Sequence, residues 1–271
     1  MNVKAVFLDM DGTLLTTGNE ISNRNKEVID QLREEGIHVF LATGRQCDIA
    51  SPYHQQLELT TPLVCLNGAA VYDPFSYHPL WTKNVRIQTD LFYDLARTHF
   101  RNVIVHLADG IYCKQHDEMV ETWVKECGKP PLAVEDFHSY RPPNVLKYSV
   151  RTDAIGSRHG RHFSNDCEVI YWEDGFELVP KDVSKWHTIR MLLRNYGIHP
   201  AEVISFGDGP NDVQMLQSSG IGVAMGNACD ELKQVADAIT LHHEQDGIAH
   251  FLENTVLSPS WHTTRAKVSS L

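Results

Sequence analysis

The chain has 271 residues, with 24 Lys plus Arg against 35 Asp plus Glu and a formal net charge of −11. That field opposes contact with a phosphate backbone, so nucleic acid is not an expected partner. Hydrophobic residues at 42% and charged residues at 22% fit a globular protein long enough for two compact units. No run approaches the roughly 18 apolar residues that cross a bilayer, and the start lacks the basic-then-apolar layout of a signal peptide. A cytoplasmic protein without a membrane partner is expected.

In chain order, Val3 to Asp9 reads as a strand and Ile21 to Glu35 as a helix stopped by Gly36. Ile37 to Ala42 and Pro62 to Leu66 read as two further strands, their short continuous apolar runs suggesting burial on both faces of a parallel sheet. From about Trp81 the texture changes. A helix over Thr89 to Phe100 precedes a hairpin of Val103–Leu107 and Ile111–Cys113, then a helix near Glu118 to Glu126 and strands near Val145–Val150 and Glu168–Trp172. Residues 82–180 therefore read as an inserted α+β unit. After Pro180 come a helix over Ser184 to Asn195 stopped by Gly197 and strands at Glu202–Phe206, Ile221–Ala224 and Ala238–Leu241, leaving 255–271 as a loose tail. The expected fold class is α/β, a doubly wound, mainly parallel sheet built by 1–81 and 181–271.

Six cysteines carry no C-x-x-C pair and are expected to be reduced, without a zinc site. The fifteen histidines fall singly apart from His242-His243; most read as surface or turn residues, and a lone His106 or Tyr112 reads as packing.

Chemistry concentrates where strands end. Asp9-Met10-Asp11-Gly12-Thr13 follows the apolar run Ala5–Leu8, and like charges about 4 Å apart repel by roughly 4 kcal/mol at an effective dielectric of 20. Three more segments share this placement. Thr43-Gly44-Arg45 offers a hydroxyl and backbone N–H groups suited to a phosphate oxygen. Ser184-Lys185 places an ammonium at a helix start. Gly207-Asp208-Gly209-Pro210-Asn211-Asp212 adds two carboxylates on a Gly-rich turn. In an open parallel sheet such ends meet in one crevice. Four acidic side chains there call for a hard cation with oxygen ligands, Mg²⁺.

Together with Asn67-Gly68-Ala69, these segments resemble, in order and spacing, the motifs of the haloacid dehalogenase-like (HAD) phosphohydrolases, most closely the Cof-like branch with a large cap inserted between the second and third motifs. The resemblance implies a Mg²⁺-dependent phosphatase of a small phosphorylated metabolite, a sugar phosphate or similar phosphomonoester. It implies Asp9 as nucleophile forming an aspartyl-phosphate and Asp11 as general acid and base. Mg²⁺ would be held by Asp9, the Asp11 main-chain carbonyl and Asp208, with Asp212 binding through water or orienting the ligands. Thr43, Gly44, Asn67, Lys185 and Asn211 would contact substrate.

Alternatives stay open at this stage. Thr43 and Asn211 also suit helix caps, Asn67 a turn, and Lys181 competes with Lys185 for the third motif. The family's usual glycines are replaced here by Asp182 and Trp186. A phosphomutase could use the same nucleophile, acid and cap, and a phosphoacceptor signalling module also surrounds an Asp with acidic groups, a Thr and a Lys. The cap is expected to move as a rigid body on connections near Trp81–Val85 and Leu178–Asp182.

Overall fold

Ala5–Leu8, wholly buried, is a central strand of a five-stranded parallel sheet. The computed structural model describes residues 2–258 apart from 135, 136, 138–140, 154 and 173, so the tail expected over 255–271 lies outside the described residues from 259 onward. The sheet order is Ala238–Ile239, Ile221–Ala224, Val203–Gly207, Ala5–Leu8 and His38–Leu41. In register, Leu8 sits beside Phe206 and Leu41, so the chain leaves three strands at one edge, at Asp9, Gly207-Asp208 and Ala42-Thr43.

Helices cover this sheet because their apolar stripes match it. Asn23–Glu34 buries Val28, Ile29 and Leu32, and the Ser22 hydroxyl caps it by accepting from Asn25 N. Lys185–Tyr196 buries Ile189, Leu192 and Leu193, begins at a Ser184 cap accepting from His187 N, and ends at Gly197 with φ +64°.

One expectation changes. Leu63–Cys65 meets the parallel sheet through a bridge of Val64 to Ala42, and otherwise pairs antiparallel with Ala70–Tyr72, which pairs with Pro79–Thr82. Parallel pairing needs a crossover of a dozen or more residues, whereas here the chain reverses within Leu66–Ala69. The last two strands were not read from sequence.

The inserted unit carries a six-stranded sheet ordered Cys167–Trp172, Gly175–Pro180, Lys147–Arg151, Asn102–His106, Ile111–Cys113 and Ala133–Val134, antiparallel except for the last pair. Gly175–Pro180 was also missed, so the chain returns to the core only after completing a hairpin. Side chains alternate across these strands. Val103, Val105, Val150 and Leu178 pack with Phe92 and Phe163 in the unit's own core. On the opposite face Ile104, Ile111 and Cys113, with Val120 and Trp123 of the Glu118–Cys127 helix, pack against Ile49 from the Cys47–Gln56 helix of the α/β core. The six cysteines are free thiols.

Candidate active site

Asp9 is buried at the end of the central strand, its main-chain N–H donating to Phe206 O at 3.1 Å. Lys185, the first residue of its helix and fully buried, donates to Asp9 Oδ1 and, at 2.8 Å, to Asp212 Oδ1. Asp212 in turn accepts on Oδ2 from the main-chain N–H of Asp208 at 3.1 Å and of Gly209 at 3.2 Å, which folds the Gly-rich turn around it. Carboxylate oxygens of Asp9, Asp208 and Asp212 lie within 4.8 Å of one another.

Burial pushes the Asp9 carboxyl up, Asp212 and Asp208 push the same way, and Lys185 pulls against them. Burial opposes the Lys185 charge too, but Asp212 and Asp9 outweigh it and hold the ammonium above the ordinary lysine range. Burial, then Asp212, also raises Asp208. Three clustered carboxylates facing one ammonium leave a deficit of two positive charges. An all-oxygen donor set with that deficit fits a hard divalent cation. Glycine makes the crowding feasible, since a Cβ on Gly12, at φ +67°, would stand 2.8 Å from Asp208 Cγ.

The phosphate-loop candidates converge beside this cluster. Thr43 is buried, and its hydroxyl accepts from Arg45 N at 3.0 Å, so it shapes the loop as a turn former. Asn67 N donates to Thr43 O at 2.9 Å, and Asn211 Nδ2 donates to Asn67 Oδ1 at 3.0 Å. That same Oδ1 lies 3.2 Å from where a Gly44 Cβ would be. Leu66, Asn67 and Gly68 have φ of +52°, +54° and +94°, an unfavourable run held by its hydrogen bonds to the Thr43–Arg45 loop. Gly68 O accepts from Thr188 Oγ1 at 2.7 Å, and a Cβ there would meet Ser184 O at 2.5 Å. Gly68→Ala is therefore expected to push the Ser184 cap off the loop and destabilise the protein by about 1–3 kcal/mol, read as a lowered Tm. An unchanged Tm would mean that the contact relaxes freely.

The cleft above these groups, about 900 Å³, is lined from the α/β core by Asn67, Lys185, Trp186 and Asn211 and from the inserted unit by Glu168, Ile170, Glu177 and Val179. Lys181, the alternative lysine, is exposed and donates to Asn165 O. Asp182 adopts φ +58°, so the backbone keeps the left-handed turn that glycine favours.

A sequence model of haloacid dehalogenase-like hydrolases matches residues 6–252. The chain belongs to this family. Its sequence is similar to the 5-amino-6-(5-phospho-D-ribitylamino)uracil phosphatase of Bacillus subtilis, at 31% identity over 92% of this chain and 96% of that protein. It is also similar to the pyridoxal phosphate phosphatase of Escherichia coli, at 26% identity over 93% and 98%. Among solved structures, a haloacid dehalogenase-like hydrolase from Bacteroides thetaiotaomicron superposes with a TM-score of 0.84 at 29% identity, covering 93% of this chain and 99% of its own. The α/β sheet with an inserted α+β unit is thus the HAD fold.

This HAD hydrolase places the Asp11 carboxylate outside the three-carboxylate cluster. Arg45 Nε lies 3.0 Å from both Asp11 oxygens and Nη2 lies 2.5 Å from Oδ1, a bidentate clamp absent from the sequence reading. Asn227 was also missed. Its Nδ2 donates to Gly12 O at 2.7 Å and lies 3.4 Å from Asp208 Oδ2, while its Oδ1 accepts from His243 N at 3.0 Å. The available signal was its place just past the Ile221–Ala224 strand, at the same sheet edge as the other site loops. No helix among the described residues is long and apolar enough to cross a membrane.

Proposed function

We propose that this hydrolase is a phosphatase of a small phosphorylated metabolite, a sugar phosphate or similar phosphomonoester. One observation carries the reading: a buried Asp9 in a cluster short of two positive charges, gripped by Lys185, which itself lines a cleft between the α/β core and the inserted unit. A carboxylate oxygen of Asp9 attacks phosphorus, the bond from phosphorus to the leaving oxygen breaks, and that oxygen takes the Asp11 proton. Water then attacks the aspartyl-phosphate, gives its proton to Asp11, and frees phosphate and the Asp9 carboxylate.

Asp9, Asp208 and the Asp11 main-chain carbonyl, with Asp212 behind them, would hold Mg²⁺. When bound, the cation would neutralise the carboxylates and the phosphoryl oxygens. Lys185 balances charge on the transferring group, and Thr43, Gly44, Asn67 and Asn211 shape and line its seat. Residues 82–180 serve as the cap that keeps water from the reacting centre. The named phosphatases among its relatives support the reaction class.

Free phosphate release from p-nitrophenyl phosphate tests this reading. Turnover is expected with Mg²⁺, to vanish on chelation with EDTA, and to return when Mg²⁺ is restored. Full turnover in metal-free buffer would overturn the role given to the carboxylate cluster.

A further inference from the structure

The cap sheet turns one face toward the core, and that face has two unlike halves. A single row across four strands runs Ile104, Ser149, Glu177, Ile170. Its Ile104 end is packed dry against Ile49 and Trp123. At the other end Glu177 and Ile170 form part of the cleft wall, opposite Trp186 and Lys185.

A buried polar chain spans the border. Gln46 belongs to the α/β core but is buried against the cap, its Nε2 donating to Leu107 O and Gly110 O, both at 3.1 Å. Its Oε1 accepts from Trp123 Nε1 at 3.2 Å and faces His106 Nδ1 at 3.1 Å. His106 Nε2 lies 2.9 Å from Ser149 Oγ, which lies 3.1 Å from Glu177 Oε1. Lys147 Nζ donates to that same Glu177 oxygen at 2.7 Å.

The hydrogens available leave this polar network incomplete at Glu177. With both Gln46 Nε2 hydrogens committed to carbonyls, Gln46 Oε1 is an acceptor, and the His106 contact requires a hydrogen on Nδ1. Burial, with Lys147 nearby, keeps His106 neutral, so Nε2 is an acceptor as well. The single Ser149 hydrogen can serve His106 or Glu177 but not both. The buried Nε2 has no other partner among the described residues, so that hydrogen goes to His106. Glu177 is left with one firm donor, Lys147, for a carboxylate that accepts about four hydrogen bonds. No donor among the described residues reaches Oε2.

We infer that Glu177 is a specificity-determining residue, accepting hydrogen bonds from hydroxyl groups on the leaving alcohol of a polyhydroxylated phosphomonoester. The adjacent Lys147 ammonium already balances its charge and disfavours a second cation, so a neutral donor fits. Lys147 fixes the carboxylate, and Gln46, the residue after Arg45, ties the cap beside it to the loop that clamps Asp11. The inference rests on the phosphatase reading above.

The test compares kcat/KM for glucose 6-phosphate, ribose 5-phosphate and sorbitol 6-phosphate with that for phenyl phosphate, whose leaving group carries no further hydroxyl. The parent enzyme is expected to favour at least one hydroxylated ester. Glu177→Ala should lower that preference by roughly 10–100-fold, mainly through KM, the loss expected for hydrogen bonds to a charged group. Glu177→Gln, which keeps the shape, should retain part of it and reports on the site if the alanine variant folds poorly. Phenyl phosphate turnover without any preference in the parent, or a preference that survives both substitutions, would overturn the inference and leave the phosphatase reading intact. Absence of phosphate release from every ester would overturn both.

Discussion

Asp9→Asn is expected to keep the fold and to lose at least about 10⁴-fold in turnover. An amide is a poor nucleophile toward phosphorus and a weaker ligand for a hard cation, whereas its shape matches the carboxylate it replaces. The main chain at this position is held by the parallel sheet and by the bond from Asp9 N to Phe206 O, neither of which the substitution touches. Stability should change little because two effects oppose each other. The variant loses the ion pair to Lys185, but that ammonium keeps Asp212, and one of three mutually repelling carboxylates is removed. Circular dichroism and a Tm within a few degrees of the parent, with phosphate release near background, are the expected readings. Parent-level phosphate release by the folded variant would remove Asp9 from the reaction.

Local pattern carried much of this fold. The run Ala5–Leu8 is apolar on both faces, so it reads as a central strand, and the carboxylates after it stand out because nothing in a strand end requires them. Register did the same for Ser184-Lys185, where a capping hydroxyl precedes a helical stripe. Gly175–Pro180 was not legible, because its alternation of Phe176, Glu177 and Leu178 is short and ends in a proline that reads as a linker. The Asp11–Arg45 clamp and the chain from Gln46 to His106 join residues 34 and 60 positions apart. Such pairs leave no local spacing, so the hydrogen bonds by which the buried His106 ring bridges core and cap are not visible in the sequence.

Lys185→Ala is expected to damage both stability and catalysis, for one electrostatic reason. The ammonium is fully buried between Asp9 and Asp212, and removing it leaves two buried carboxylates facing each other without a protein cation. Losing one partner of a buried pair costs about 3–5 kcal/mol, read as a lowered Tm. Added Mg²⁺ should recover part of that loss by supplying positive charge to the same carboxylates. Catalysis should fall by roughly two to three orders of magnitude in kcat/KM, about 2.7–4 kcal/mol of transition-state stabilisation, and Mg²⁺ should not restore it, because the cation does not replace the donor on the transferring group. Lys181→Ala supplies the contrast. Its ammonium donates to a main-chain carbonyl at Asn165 on the exposed side of the cap junction, so its removal should be almost silent in both readouts. Both variants are assayed on p-nitrophenyl phosphate with Tm measured with and without Mg²⁺. A larger catalytic loss for Lys181→Ala, or full kcat/KM for Lys185→Ala once Mg²⁺ restores its Tm, would show that Lys185 holds the carboxylate cluster together without acting on the phosphoryl group.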